Sequence, residues 1–183
     1  MTESLDQSAY MMTYTGRRFY LYNPTPDQVN IIDIAHALSM LCRFTGHTTR
    51  FYSVAQHCWH ASYLVPTSLA LEALLHDAAE AYVNDLSRPL KHHSQMQGYR
   101  SVEDRVDLAI RSHFNLPTLH TPRIKTVDNC LVVTEAKALL TVCDWTEGHA
   151  DYPHLDLPAL SPAQAERRFL SRYADLAVKG VSI

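Results

Sequence analysis

Histidine is abundant in this chain, eleven of 183 residues, and several stand near carboxylates at spacings that could do chemistry. His57 is followed nineteen residues later by the pair His76-Asp77, then by Glu80, and much later by Asp128 and Glu135. Histidine is the commonest metal ligand and the side chain that titrates nearest neutral pH. On a helix at about 100° per residue, Leu71, Leu74, Leu75, Ala78 and Tyr82 cover an apolar side. His76, Asp77 and Glu80 fall in one wedge about 100° wide, with the small Ala73 leaving space beside them. No Lys or Arg lies between Thr67 and Asn84 to neutralise that wedge. Val54, Cys58 and Ala61 share a face that also carries His57, whereas His60 groups with Ser53 and Gln56. Asp128 and Glu135 both lie within the stripe Ile124, Leu131, Ala138, Leu139 and Val142. Singly, each has a plainer reading: a core histidine is usually just hydrogen-bonded, and a wedge of His, Asp and Glu is usually a solvated face. Together, three helices each aim ionisable groups at what should be core, where isolated charges are costly. Two His and two Asp around one divalent cation would resolve that cost, and N/O ligation suits zinc, cobalt, manganese or iron.

The elements that must position these residues are mostly helical. Tyr10 to Tyr22 is aromatic and β-prone around Thr15-Gly16, which predicts a short hairpin, and Pro24 and Pro26 then break the chain. Ile34, Ala37, Leu38 and Leu41 repeat at helical spacing, with Asp33 as the expected cap. A polar stretch precedes a second helix that starts at the capping box Ser53–Gln56 and stops before Pro66. A third runs from Thr67 to about Asn84 through strong helix formers. The loop DLSRPLKHH leads to a fourth helix from about Tyr99 to Phe114, ending at Asn115-Leu116-Pro117. Thr121-Pro122 opens a fifth through about Cys143. Asp151 to Leu160 reads as Pro-rich loop, and the capping box Ser161–Gln164 starts a final helix through about Leu176. The expectation is one all-α domain over 1–183, with an N-terminal hairpin extension over 1–26 and a C-terminal loop and helix over 149–183.

Composition narrows the function classes. With 46% hydrophobic and 19% charged residues, five Gly and nine Pro, the chain is neither disordered nor low-complexity. Sixteen Lys+Arg against nineteen Asp+Glu give a net charge of -3, which argues against a nucleic-acid or anionic-membrane binder. Cys42, Cys58, Cys130 and Cys143 form no C-x-x-C pair and read as reduced thiols of a cytoplasmic protein. MTESLDQSAY carries acid where a signal peptide carries base, and no apolar run is long enough to span a bilayer.

The order His57, His76-Asp77, Asp128 resembles the H…HD…D signature of the HD superfamily of metal-dependent phosphohydrolases. The surrounding words SVAQH, LLHDAAEAYVNDLSRPLK and IKTVD carry the likeness, which covers roughly Gly16 to Leu140. It is similar to the branch that holds bacterial deoxyribonucleoside 5′-nucleotidases and phage dATP triphosphohydrolases, where HD-A-x-E precedes a further Asp, a Pro and a Lys, here Glu80, Asp85, Pro89 and Lys91. The resemblance implies an HD-domain helical bundle in which His57, His76, Asp77 and Asp128 hold one divalent transition metal per chain (zinc, cobalt or manganese). Glu80 would orient or deprotonate a water, so that Glu80 and Asp77 are the catalytic carboxylates. Arg43 and Lys91 would meet phosphate, and His47, Arg50, His92 and His93 could assist a longer phosphate chain. Asp85 would bond the sugar 3′-hydroxyl, Pro89 would exclude a 2′-hydroxyl, Phe44 would pack on base or sugar, and Ile32 would line the base site.

Two features differ from the 5′-nucleotidase pattern. The interval from His57 to His76 is shorter, and the hairpin with GRRFYLY is closer to the small phage enzymes. The expectation is therefore a deoxynucleoside triphosphohydrolase that prefers dATP and releases deoxynucleoside and triphosphate, with a deoxynucleoside 5′-monophosphatase as the alternative. A non-catalytic nucleotide-binding module is disfavoured by the intact Glu80 and Lys91. A two-metal enzyme would need further ligands from His92, His93, His113 or His120, none in a convincing motif. The same resemblance implies a homo-oligomer, dimer or hexamer.

Overall fold

The Thr15-Gly16 pair turns the chain as its residue types predict. In this computed structural model, which describes residues 8–144 and 148–179, strands β1 (Met11–Met12) and β2 (Arg18–Phe19) pair antiparallel, Met11 opposite Phe19. Gly16 closes the turn at φ +77°, a conformation that side chains with a Cβ rarely adopt. Side chains fasten the hairpin to the helical body. Thr15 donates from its amide (2.6 Å) and hydroxyl (2.9 Å) to the carboxylate of Asp33. Tyr14 stacks on His36 at 3.6 Å, and the buried Phe19 stacks on Tyr82 at 3.8 Å. Asp33 therefore does not cap the first helix, α1 (Ile31–Met40). Asn30 does, accepting from the Ile32 amide at 2.8 Å. The outer ends of the expected domain span, residues 1–7 and 180–183, lie outside the described residues, as does Trp145.

The rest of the described chain is helix and connecting turn. A tight turn at Arg43–Gly46 leads to α2 (Val54–Ala61), capped by Ser53, whose hydroxyl accepts from the Gln56 amide. The capping box is only half formed, because the Gln56 side chain donates to the Pro158 carbonyl instead. The Thr67–Asn84 span, expected as one helix, is split. A turn at Thr67–Leu69 leads into α3 (Ala70–Leu74), turns occupy 75–79, and α4 (Glu80–Val83) follows. The cause is local: His76 Nδ1–H donates to the Ala73 carbonyl at 2.8 Å, the acceptor that a regular helix reserves for the Asp77 amide. The next amides reach back only three residues, Ala78 to Leu75 and Glu80 to Asp77. Asn84, at φ 75°, then ends α4.

The short α5 (Arg88–Lys91) precedes α6 (Gln97–His113), two residues earlier in its start than expected. Its end is a Schellman turn with Asn115 at φ 53°, the Leu116 amide donating to the Arg111 carbonyl at 2.9 Å. Helix α7 (Pro122–Leu139) stops short of Cys143 because the Leu139 carbonyl accepts from the Thr49 amide at 2.7 Å, which leaves Val142 exposed beyond it. Ala138 is exposed too, and the buried residues of α7 include Ile124, Val127, Leu131 and Leu139 together with Asp128 and Glu135. The box at Ser161 is complete at the start of α8 (Pro162–Lys179): the Ser161 amide donates to Gln164 Oε1 at 2.8 Å. Helix α8 lies across α1, α2 and α3, and α2 is sandwiched between it and α7. The main core gathers Ile34, Leu38, Val54, Leu74, Ile110 and Phe169. A buried ion pair, Arg111 to Glu72 at 2.7 Å, ties α6 to α3 one turn before His76.

Candidate metal centre

In α2, buried apart from Trp59, His57 has no exposed surface; the turn after α3 brings His76 and Asp77 from a second direction, and α7 brings Asp128 from a third. The ligand atoms of His57, His76 and Asp128 all lie within 4.8 Å of one another, and Asp77 reaches both imidazoles from one side. His57 Nε2 lies 3.3 Å from His76 Nε2, 3.3 Å from Asp128 Oδ1 and 3.6 Å from Asp77 Oδ2. His76 Nε2 lies 3.3 Å from Asp77 Oδ2 and 3.9 Å from Asp128 Oδ1. A metal with N and O ligands at about 2.0–2.2 Å sets adjacent ligand atoms about 2.8–3.6 Å apart, and four of these five separations fall in that range. The donor set, two imidazoles and two carboxylates, suits zinc, cobalt or manganese.

The electrostatics carry the same demand for positive charge. Burial opposes ionisation of His76, but Asp77 and Asp128 outweigh it and hold the imidazole well above its usual range. Burial also opposes the Asp128 carboxylate, yet hydrogen bonds from His57 and His76 hold it well below the usual range.

Several of the other expected residues lie near these four side chains. Glu80 is buried at the start of α4; burial, with the charges of Asp77 and Asp85, pushes its carboxyl well above the ordinary range. Its Oε2 is buried without a hydrogen-bond partner. Arg43 is buried and already engaged, with Nη1 3.6 Å from Asp77 and Nε and Nη2 each 3.3 Å from Glu135. Lys91 donates to Glu103 at 2.6 Å. Asp85 is half-buried, and Arg88 from the same loop donates to Asn129, next to Asp128, at 3.2 Å. Phe44, at φ 53°, lies with its ring centroid 5.8 Å from the Arg43 guanidinium. Pro89 is exposed at the start of α5, and Ile32, 44% exposed, is on the solvent side of the first turn of α1.

Three neighbours stand out beyond the motif. Glu135, with no exposed surface, accepts from His57 Nδ1 and from the Tyr52 hydroxyl, each at 2.8 Å. Its position seven residues after Asp128, on the same buried stripe, is a sequence signal, but its partners come from distant segments. Lys125 donates to Asp128 Oδ2 at 2.8 Å, one helical turn before it. Cys58 comes within 4.8 Å of the His76 and Asp77 ligand atoms, and burial pushes its thiol up to about 11. Among the described residues His92, His93, His113 and His120 join no such cluster; His113 bonds the Pro26 carbonyl, and His120 bridges Arg111 and Asp107. His47 is exposed, and Arg50 is turned to the Leu157 carbonyl. Among the described residues no disulfide forms, and no helix is long and apolar enough to cross a membrane.

No known family profile matches the chain. An uncharacterized protein of Rhodobacter capsulatus is 37% identical over 130 residues, 64% of each chain. The uncharacterized protein YfdR of Escherichia coli is 36% identical over 177 residues, 92% of this chain and 96% of that one. Identity at that level along nearly the whole of both lengths shows that the chain belongs to the YfdR family.

Proposed function

We propose that the chain is a metal-dependent phosphohydrolase of deoxynucleotides, of the HD type that its motif resembles. The observation that carries this reading is the mutual approach of His57, His76 and Asp128, with Asp77 3.6 Å from His57 and 3.3 Å from His76 and the buried, partly unpartnered carboxyl of Glu80 close by. A divalent ion held there would act as a Lewis acid on a phosphoryl oxygen and lower the pKa of a water. Glu80 takes the proton of the attacking water and returns it to the leaving oxygen. The water oxygen joins phosphorus as the bond from phosphorus to the 5′-oxygen breaks, and this is the same bond whether the substrate carries one phosphate or three. Arg43 and Lys91 would flank the phosphate, and Asp85, just ahead of α5, and Pro89, at its start, would meet the sugar.

One observation favours the monophosphate over the triphosphate. Arg43 is bound to Asp77 and Glu135, and Lys91 to Glu103, so the cations nearest the site are largely committed to the protein's own carboxylates. A substrate bearing fewer negative charges fits that balance better. The test is a screen of ribo- and deoxynucleoside mono- and triphosphates with added manganese, cobalt or zinc, with products separated by chromatography. Rapid release of deoxynucleoside from dAMP is the expected result. Release of triphosphate from dATP at a higher kcat/KM would restore the triphosphohydrolase, and no hydrolysis of any nucleotide would defeat the proposal.

A further inference from the structure

Both ligand imidazoles must present Nε2 to the common point, and each does so by giving up the hydrogen on Nδ1 to a partner behind it. For His76 that partner is neutral, the Ala73 carbonyl at 2.8 Å. For His57 it is a carboxylate with no exposed surface, Glu135 Oε1 at 2.8 Å. An ionised carboxylate only accepts, so Nδ1 keeps a hydrogen, and Nε2, which faces Asp128, Asp77 and His76, is the nitrogen whose proton a metal would displace. Glu135 is itself held from every side: Oε1 also accepts from the Tyr52 hydroxyl at 2.8 Å, and Oε2 accepts from Arg43 Nε and Nη2 at 3.3 Å each. Such saturation leaves the carboxylate no freedom to rotate, and therefore fixes the ring it holds. A carboxylate behind a ligand histidine both orients the ring and strengthens it as a donor.

We infer that Glu135, braced by Tyr52 and Arg43, is the positioning residue that holds His57 as a metal ligand. This deepens the proposed function and rests on its metal site. It also gives Arg43 a role in the apo protein, since the guanidinium offsets the buried Glu135 charge while reaching Asp77 on the opposite side of the site. The competing explanation is that Glu135 serves only as a counter-ion for Arg43.

Cobalt(II) affinity, measured by competition with a chromophoric chelator, separates the two. Wild type binds about one equivalent per chain. Glu135→Gln, which keeps the shape and removes the charge, weakens binding roughly 10- to 100-fold. In a His57→Ala background the same change adds no further loss, because its effect runs through that ring. Tyr52→Phe, which removes one bond to the same oxygen, weakens cobalt binding several-fold and serves if Glu135→Gln does not fold. Unchanged cobalt affinity in a folded Glu135→Gln or Tyr52→Phe protein overturns the inference while leaving the metal site standing. Full additivity with His57→Ala overturns it as well. A wild type that binds no cobalt overturns the metal site itself.

Discussion

Glu80→Gln separates catalysis from stability more cleanly than any other single change. The amide fills the same volume in a pocket where the carboxyl is only 7% exposed, so packing is kept. What changes is charge. In the apo protein Glu80 is buried, has an unpartnered Oε2 and faces Asp77 and Asp85, which together lift its carboxyl well above the ordinary range. A raised acid keeps its proton in the folded state after the unfolded chain has lost it, so stability falls as pH climbs above about 4.5. Glutamine removes that loss. In chelator-treated protein at pH 7, Glu80→Gln should unfold at equal or higher urea concentration, by up to about 1–3 kcal/mol, with the difference vanishing below about pH 4.5. Activity moves the other way. Loss of a positioned base costs roughly 10²–10⁴ in kcat, about 3–5 kcal/mol of barrier, with cobalt stoichiometry unchanged. The paired assay is urea unfolding of the apo protein across pH, beside dAMP hydrolysis by the metal-loaded protein. A stable, metal-loaded Glu80→Gln that turns over dAMP at the wild-type rate would remove Glu80 from the mechanism. A marked drop in its stability would refute the electrostatic reading of the pocket.

Other outcomes test other parts of the framework. Cobalt at about 100 times its Kd should add about 2.7 kcal/mol of stability by mass action, seen as a raised melting midpoint, and Asp128→Ala should abolish the rise. Phe19→Ala, which removes the ring stacked on Tyr82, should cost about 3–5 kcal/mol in urea unfolding; a change under about 1 kcal/mol would mean that the hairpin is not fastened as described. Arg111→Met leaves the Glu72 carboxylate buried with only Thr121 as donor and should cost about 3–5 kcal/mol, partly restored by adding Glu72→Gln. Burial works to raise the Glu72 carboxyl, but the bonds from Thr121 and Arg111 hold it below its ordinary range, so its contribution is full above about pH 4.5 and fades as pH falls.

The candidate cluster was legible in part: three helices carry ionisable residues where core was expected, the resemblance joined His57, His76, Asp77 and Asp128, and the two imidazoles do approach both carboxylates. The partners of the flanking groups were not legible. Tyr52 and Arg43 stand 83 and 92 residues from Glu135, and no periodicity links them. Lys91 reads as a free cation until α6 folds Glu103 against it. The split of the third helix was equally hidden, since every residue around it favours helix and a single side chain, the ring of His76, diverts the bond that would have continued it. Likewise α7 ends at Leu139 because a distant amide, that of Thr49, claims its last carbonyl.

That diverted bond has a consequence for any attempt to engineer the protein. Adjacent residues on an intact helix splay about 100° apart, whereas here His76 Nε2 and Asp77 Oδ2 lie 3.3 Å apart. The irregular stretch over 75–79 turns two neighbours into a pincer. Substitutions chosen to raise helical propensity there would act against that aim: the better they knit the backbone, the farther apart its two jaws would point.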